Sequence, residues 1–268
     1  MASSFRRNVL PLLLPAAALA AASAANAEDA RAEPARTRVA LGPQLVPAYP
    51  GADDFKLRPL IDVASARGDE TFDFEAADES FGFSVLDMGR LSVGPVLNFE
   101  GSRTPAKVGA AVPKVAFSFE AGGFAEYRLA ENFRLRGELR KALTGHDGLV
   151  GTVGGDFVTR DRDDWLFSIG PRLNWGNNRF HDAYFSVAPA DAAAAGLPAY
   201  DAGGGIYSAG AAAGFIKQLT PRWGVYSYAK YERLVGDAAR SPIVLQQGSR
   251  NQFSGGAALT YTFGSGVR

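Results

Sequence analysis

Two histidines are the side chains best suited to acid–base chemistry in this sequence of 268 residues. His146-Asp147 and His181-Asp182 have the composition of histidine–carboxylate pairs, in which the acid orients an imidazole that acts as general base. Neighbouring residues of a strand face opposite ways, however, and no motif marks a serine nucleophile. Asp147-Gly148 is also typical of a turn between strands. We therefore predict loop structure for both pairs, with a hydrolase at the rim of a membrane barrel as the less favoured alternative.

A second set of chemically able side chains consists of arginines and glutamates that alternate with apolar residues. The set comprises Glu120, Glu126, Arg128, Arg134, Arg136, Glu138, Arg140 and Arg172. If these side chains line the interior of a barrel, they form either a selective pore or a network of mutually neutralising charges. We favour the network, because a barrel of about twelve strands is only modestly wider than one of eight, which side chains fill.

Composition removes several other kinds of chemistry. The chain has no cysteine, which excludes a disulfide scaffold, a thiol nucleophile and a thiolate metal site. Two histidines are too few for a multi-histidine metal centre, and Asp53, Asp54 and Asp62 lack the spacing of a calcium loop. Because 28 basic side chains balance 28 acidic ones, nucleic acid is not an expected partner. We expect no catalytic residue, no cofactor and no metal site.

The N-terminus has the layout of an export signal. Arg6 and Arg7 precede an apolar run over 9–22, and Ala25-Asn26-Ala27 forms a typical cleavage site. The run is shorter than the roughly 20 residues that a membrane-spanning helix needs. We predict a cleaved signal peptide over 1–27, a periplasmic segment over 28–36, and no later helix that could span a bilayer. A chain of this kind can cross a membrane only as a closed barrel.

Alternating apolar and polar residues then dominate the chain, which is typical of strands with two different faces. In the segment 165–175 one face carries Trp165, Phe167, Ile169, Pro171, Leu173 and Trp175. Tryptophans at both ends of an apolar face are typical of the aromatic girdles at the two membrane interfaces. We assign Trp165, Trp175 and Trp223 to these girdles.

The last strand has the same two faces. Phe253, Leu259, Tyr261 and Phe263 share a side that small and polar residues oppose. A closing aromatic resembles the C-terminal insertion signal of bacterial outer-membrane barrels, which we assign to Tyr261 and Phe263. The tail 264–268 departs from that pattern, because the signal usually ends the chain.

The spacing of the alternating segments predicts about twelve strands. Their predicted spans are 37–46, 55–65, 70–76, 79–86, 90–100, 115–129, 132–143, 148–160, 163–175, 206–219, 222–236 and 250–263. Connections after even-numbered strands are short, and those over 101–114, 176–205 and 237–249 are long. Outer-membrane barrels have short periplasmic turns and long outer loops. The predicted fold is therefore all-β: a closed, transmembrane antiparallel barrel over 37–263 with periplasmic termini. A soluble secreted barrel and a sandwich are the alternatives.

Seven stretches, taken in order, carry a family resemblance. They are Ala48-Tyr-Pro-Gly-Ala-Asp-Asp54, Leu91-Ser-Val-Gly-Pro-Val-Leu-Asn98, Glu120-Ala-Gly-Gly-Phe-Ala-Glu-Tyr127, Leu135-Arg-Gly-Glu-Leu-Arg140, Gly145-His-Asp-Gly148, Gly196-Leu-Pro-Ala-Tyr200 and Gly248-Ser-Arg-Asn-Gln-Phe253. Together they resemble the MipA/OmpV family of Gram-negative outer-membrane proteins, named for the MltA-interacting protein.

The resemblance implies a location in the outer membrane, in contact with its lipid. It also implies a non-catalytic scaffold that binds a lytic transglycosylase and a penicillin-binding protein in the cell envelope. A porin-like channel for small solutes, using the charged interior, is the alternative function.

Overall fold

The computed structural model describes residues 34–264, which form one compact unit. The predicted signal peptide over 1–27 lies outside the described residues, as do 28–33 of the predicted periplasmic segment and 265–268 of the tail. The described residues form twelve antiparallel strands: β1 (Ala35–Pro47), β2 (Phe55–Arg67), β3 (Phe81–Gly82), β4 (Leu86–Asp87), β5 (Leu91–Glu100), β6 (Ser118–Ala130), β7 (Phe133–Ala142), β8 (Leu149–Asp161), β9 (Trp165–Gly176), β10 (Gly205–Gln218), β11 (Trp223–Leu234) and β12 (Asn251–Gly264).

Five short helices lie between the strands. They are α1 (Pro105–Val108), α2 (Asn178–Phe185), α3 (Pro189–Ala195), α4 (Gly236–Arg240) and α5 (Pro242–Gln247). Over residues 34–264, no helix is long and apolar enough to cross a membrane.

All strands belong to one antiparallel sheet. Strands β5 to β12 pair in chain order, and β12 pairs with β1, which pairs with β2. The sheet therefore has β2 at one edge, and β3 and β4, both paired to β5, at the other. The sheet is strongly curved, because side chains of distant strands meet on its concave side. Arg36 of β1, for example, donates to Asp163, which follows β8, at 3.1 Å.

The curved sheet reverses the usual distribution of polar and apolar residues. Apolar side chains on its convex face are exposed, as in β9, where Phe167, Ile169 and Leu173 alternate with buried Ser168 and Arg172. Leu57 of β2 is 70% exposed, whereas Arg172 on the concave face is only 4% exposed. The alternation predicted from sequence is thus present, with the polar face inward.

The two ends of the sheet differ in their connections. Short turns over 88–90, 131–132, 162–164 and 219–222 lie at one end, which we call the short-turn end. Both ends of the described chain, at residues 34 and 264, lie there too, because β1 and β12 pair antiparallel. Longer connections over 48–54, 101–117, 143–148, 177–204 and 235–250 lie at the opposite end and pack together. We call these five connections the cap.

One predicted strand is wrong and another is much reduced. Residues 70–76 form no strand but lie on the concave side of the sheet, within a connection over 68–80 that we call the inner segment. The predicted strand 79–86 is reduced to β3 and β4. The other ten predicted strands lie within three residues of the observed bounds. We call the strands of the curved sheet the wall. The sequence predicted a wall strand here because the phenylalanines of the inner segment alternate with acids, but in the structure acids of this segment pair with arginines in the interior.

Candidate functional site

The concave side of the sheet holds a dense network of buried charges. Arg134 of β7 lies at its centre: its Nη1 donates to Glu126 at 2.7 Å, its Nε donates to Asp156 at 3.1 Å, and it also pairs with Glu79. Arg136 contacts Glu79 at 3.7 Å and donates to Glu138 at 3.0 Å. Because each guanidinium meets more than one carboxylate, the arginines of β7 act as bridges between acids of the wall and of the inner segment.

The network continues toward the cap through Glu120 of β6. Arg140 donates from Nη1 to Glu138 at 2.6 Å and from Nε to Glu120 at 2.9 Å. Glu120 also accepts from the Asn98 amide at 3.0 Å and contacts His146 of the cap at 3.0 Å. A continuous chain of ion pairs and hydrogen bonds therefore links the inner segment to the cap.

The inner segment is held by charge at its C-terminal end. Arg172 of β9 binds Asp78 with two nitrogens, at 2.9 and 3.1 Å, and donates to Asp156 at 2.8 Å. Lys230 of β11 approaches the same Asp78 at 3.6 Å. Ser80 donates to Glu138 at 2.6 Å. Bidentate pairing of this kind is the stronger form of charge-assisted hydrogen bond.

Aromatic rings hold the N-terminal half of the inner segment. Phe72 is buried beneath two guanidinium groups, those of Arg36 at 5.1 Å and Arg38 at 4.7 Å from its ring centre. Phe74 lies 4.3 Å from the guanidinium carbon of Arg134 and packs on a small apolar patch of the inner wall. Cation–π contacts of this kind are worth more when both partners are withdrawn from water.

The inner segment leaves little free space where it meets the charged wall. A cavity remains between Asp78 and Glu79 on one side and Arg136, Glu138 and Arg172 on the other. It has room for about one water molecule. This part of the interior is therefore filled by side chains and by the inner segment.

The structure brings most of the predicted interior residues together and leaves one apart. Glu120, Arg134, Arg136, Glu138, Arg140 and Arg172 are buried on the concave face, and the side chain of Glu126 is 12% exposed. Arg128, by contrast, lies near the short-turn end, with its side chain 52% exposed and paired with Asp73 at 3.6 Å.

Several residues of the network were not found from the sequence. They are Arg36, Arg38, Asp78, Glu79, Asp156, Arg160 and Lys230. The inner segment carries six acids and no lysine or arginine. Such a run between alternating strands was the available signal for a segment that pairs with the inward arginines.

His146 is paired with an acid, but not with Asp147. Its Nδ1 accepts from the Gly148 backbone at 3.0 Å, so its proton is on Nε2, which donates to Glu120. Asp147 instead turns outward, where it pairs with Lys141 and with Arg179 at 2.5 Å. Both ring nitrogens of His146 are thus engaged by groups of the protein itself.

His181 is also buried in the cap, 1% exposed. Its Nε2 contacts the Gly205 carbonyl at 3.3 Å, while Asp182 accepts from Ser186 at 3.2 Å, so this histidine and its neighbouring acid are not paired either. Burial lowers the pKa of the His181 imidazole below its ordinary 6.5. His146-Asp147 thus lies in a turn of the cap, as predicted, whereas the predicted loop at His181-Asp182 is wrong, because both residues lie in helix α2, whose buried face carries His181.

Apolar packing holds the cap together. Phe180 contacts the rings of Tyr207 at 4.8 Å, Tyr184 at 5.0 Å and His146 at 5.2 Å between centres. Arg103 crosses the cap, 2% exposed, and donates to the carbonyls of Tyr184 at 3.1 Å and Pro113 at 2.8 Å. Burial lowers the pKa of the Arg103 guanidinium. The charged side chain therefore ties cap connections together through backbone carbonyls.

The predicted girdle residues lie at the two ends of the convex face. Trp175 lies beside the cap, one residue before the end of β9. Trp165, Trp223, Tyr261 and Phe263 lie at the short-turn end. There the rings of Trp223 and Tyr261 are 4.8 Å apart, and those of Tyr261 and Phe263 are 4.7 Å apart.

No group of three or more histidine, aspartate or glutamate side chains between residues 34 and 264 is placed to hold a metal ion. What the site can do chemically is bind charge: it presents fixed guanidinium groups to carboxylates in a space with little room for water.

Comparison with solved structures gives distant matches. A bacterial polysaccharide outer membrane secretin is 10% identical with a TM-score of 0.40, covering 88% of this chain and 100% of the other. The COG4313 outer membrane channel from Pseudomonas putida F1 has the same identity and TM-score, covering 88% of this chain and 97% of its own. The beta domain of the Bordetella autotransporter BrkA is 16% identical with a TM-score of 0.35, covering 87% and 100% of the two chains.

Among curated proteins, none matches the sequence. The family described as MltA-interacting protein MipA matches residues 39–263. This match spans most of the 268 residues, including every strand from β2 to β11, most of β1 and nearly all of β12. The chain therefore belongs to the family of the MltA-interacting protein MipA.

Proposed function

We propose that the protein is an outer-membrane β-barrel whose convex face contacts lipid. The observation that carries this proposal is the reversed distribution of side chains, with Leu57, Val85 and Leu259 exposed while Arg134 and Arg172 are buried. In water such a surface would expose large apolar patches, whereas in a bilayer it is the expected outer face of a spanning sheet.

The orientation follows from the two ends of the sheet. The short-turn end, with residues 34 and 264, lies in the periplasm, and the cap lies outside, as in barrels with short periplasmic turns. Side chains bridge the two sheet edges near the cap: Lys56 of β2 contacts Glu100 of β5 at 2.7 Å, and Arg58 donates to the Phe99 carbonyl at 3.0 Å. These bridges support closure of the sheet into a barrel.

Within the envelope the protein acts as a non-catalytic scaffold for a lytic transglycosylase and a penicillin-binding protein. Its family is named for interaction with MltA. The filling of the charged part of the interior and the engaged nitrogens of His146 support a role in binding rather than in transport or hydrolysis. The surface that remains for periplasmic enzymes is the short-turn end.

Site-directed crosslinking in intact envelopes tests the scaffold. The chain has no cysteine, so a single cysteine can carry a photo-crosslinker at either end. Arg222→Cys places it in an exposed turn of the short-turn end, and Arg179→Cys places it on the exposed side of the cap. We expect peptidoglycan enzymes to be captured from Arg222→Cys and not from the matched Arg179→Cys. Capture of such enzymes from the cap alone, or from neither variant, contradicts the scaffold.

The membrane location has its own test. The chain without residues 1–27 is expected to need detergent to stay monodisperse, because its convex face is apolar. A monodisperse preparation in detergent-free buffer, measured by light scattering, contradicts a lipid-facing surface.

A further inference from the structure

The strands at the two edges of the sheet run in the same direction, so they cannot pair with each other in the antiparallel manner of the other strands. β2 runs from the cap to the short-turn end, since Phe55 pairs with Pro47 and Arg67 with Ala35. β3 and β4 run in the same direction, because Phe81 pairs with Leu97 and Asp87 with Ser92 of the antiparallel β5. The two edges are therefore parallel to each other. One more strand, running from the short-turn end toward the cap, is needed to join them by antiparallel pairing.

The turn that would start this missing strand is already formed. The Glu70 backbone N–H donates to the Arg67 carbonyl at 2.9 Å, which closes a tight turn at the end of β2. Gly68 has a φ of +52°, as the first central residue of a hairpin turn requires. In hairpins a strand follows such a turn, but here the chain enters the interior.

The residues after this turn also have the pattern of a wall strand. Phe72 and Phe74 alternate with Thr71, Asp73 and Glu75. Continued as a hairpin from the turn, Phe74 would lie opposite Val63, whose side chain is exposed on the convex face. Asp73 would lie opposite Ala64, on the concave side. Apolar residues would then face lipid and acids the interior, as in the rest of the wall.

We propose that residues 70–76 exchange between the interior position and a wall strand paired with β2, and that the vacated interior binds small anions carrying two or more carboxylates. A free sheet edge in hydrocarbon has unsatisfied backbone groups, which favours the outward position. The ion pairs of Asp78 and Glu79 favour the inward one. The inference rests on the proposed membrane span.

The chemical class of the ligand follows from what the inner segment contributes. Asp78 and Glu79 bring two carboxylates to Arg172, Lys230, Arg134 and Arg136. When residues 70–76 move outward, Asp78 and Glu79 leave these four cations, because the two acids follow the moving residues closely in the chain. Arginine guanidinium groups match carboxylates in a two-point geometry, so the exposed cluster suits an anion that replaces both acids at once.

Two crosslinks that share one position test the exchange. In Ala64→Cys/Asp73→Cys the thiols meet only if residues 70–76 pair with β2, where they occupy a position suited to a disulfide. In Asp73→Cys/Arg128→Cys a short bis-maleimide reagent holds the inward position, since these two side chains contact each other there. Both variants are assembled reduced in lipid vesicles and then oxidised or crosslinked.

We expect the disulfide of Ala64→Cys/Asp73→Cys to form in the folded protein. In planar bilayers its conductance should exceed that of the inward-crosslinked form by about tenfold or more. The disulfide holds every molecule in the outward position, which is otherwise a minor state. Its current should be anion-selective, and citrate should reduce the chloride current. In Arg172→Gln/Lys230→Gln on the same locked background, the citrate effect should weaken.

Three results would overturn the inference. The first is a failure of the disulfide to form while Asp73→Cys/Arg128→Cys is bridged. The second is a locked form that does not conduct, and the third is a current that favours cations or ignores citrate. Failure of the proposed membrane span is distinguishable, because the wild-type chain would then remain monodisperse without detergent; the exchange would fall with it.

Discussion

The cap and the inner segment both fill space that a simple barrel would leave open, but different forces hold them. The cap buries an apolar cluster drawn from several connections, with Phe180, Tyr184 and Phe185 near its centre. The inner segment buries Phe72 and fixes its C-terminal end through Asp78, Glu79 and Ser80. One is an apolar core, and the other is an acidic strip inside a basic lining.

These forces respond differently to a change of partner. The cap is stabilised by burial and close packing of apolar side chains. When the cap opens, these side chains are exposed to water and most of that stabilisation is lost. A buried ion pair gains little net free energy over its hydrated ions, because desolvation offsets much of the attraction. We therefore expect the cap to be cohesive and the inner segment to be exchangeable.

The largest effect is expected in the cap. Phe180→Ala removes a buried ring that contacts several others, and should lower the free energy of unfolding of the cap by about 3–5 kcal/mol. Near-UV circular dichroism in denaturant measures this loss. The inner segment should remain in place, which the unchanged thiol reactivity of Ser80→Cys would show. If the thiol reactivity of Ser80→Cys instead rises in proportion to the loss of cap stability, the cap and the inner segment form one cooperative unit.

A somewhat smaller effect is expected from breaking the network at Arg172. Arg172→Met leaves buried Asp78 without its two-point cation and removes one of the two arginines that pair with Asp156, at a cost of about 3 kcal/mol. If that cost is relieved by release of the inner segment, the thiol of Ser80→Cys should react about a hundredfold faster. The near-UV spectrum of the cap should not change. Unchanged thiol reactivity together with a changed near-UV spectrum would contradict this view, because Arg172 would then stabilise the cap and not the inner segment.

The sequence predicted the wall well because alternation is a local property of each strand. Trp165 and Trp175 bracket one strand face, and that face is the outward one in the structure. The residues of β7 were likewise correctly placed on one side, because their charges alternate strictly. Patterns of this kind need no knowledge of distant partners.

The interior was harder to predict because its contacts join residues far apart in the chain. Glu120 pairs with His146, and Asp78 with Arg172, whereas the sequence suggested partners next to each histidine. Residues 70–76 have the alternation of a strand and lie inside instead, so periodicity alone could not locate them. The competing contacts, phenylalanine on arginine and acid on arginine, become visible only when the wall is assembled.

The stability of the cap should depend on pH, because its buried histidine His181 is compatible with the folded cap only in the neutral form. The pKa of His181 is lowered by burial, so below pH 6.5 the unfolded chain binds more protons than the folded cap. Cap stability should therefore be full above pH 6.5 and fall as pH drops below it. The near-UV unfolding midpoint across this range measures the effect, and His181→Gln should flatten it. A midpoint that rises on acidification would contradict this assignment.

The smallest effect is expected at the exposed end of the inner segment. Asp73 and Arg128 form an ion pair with both side chains more than half exposed, 84% and 52%, so water and salt screen it. Asp73→Asn should change the stability of the inward position by about 0.5 kcal/mol or less. The matched substitution Asp78→Asn, at a buried pair, should accelerate the thiol reaction of Ser80→Cys much more. If the two substitutions act equally, the buried ion pairs are not what holds the inner segment, and its retention must come from Phe72 and Phe74.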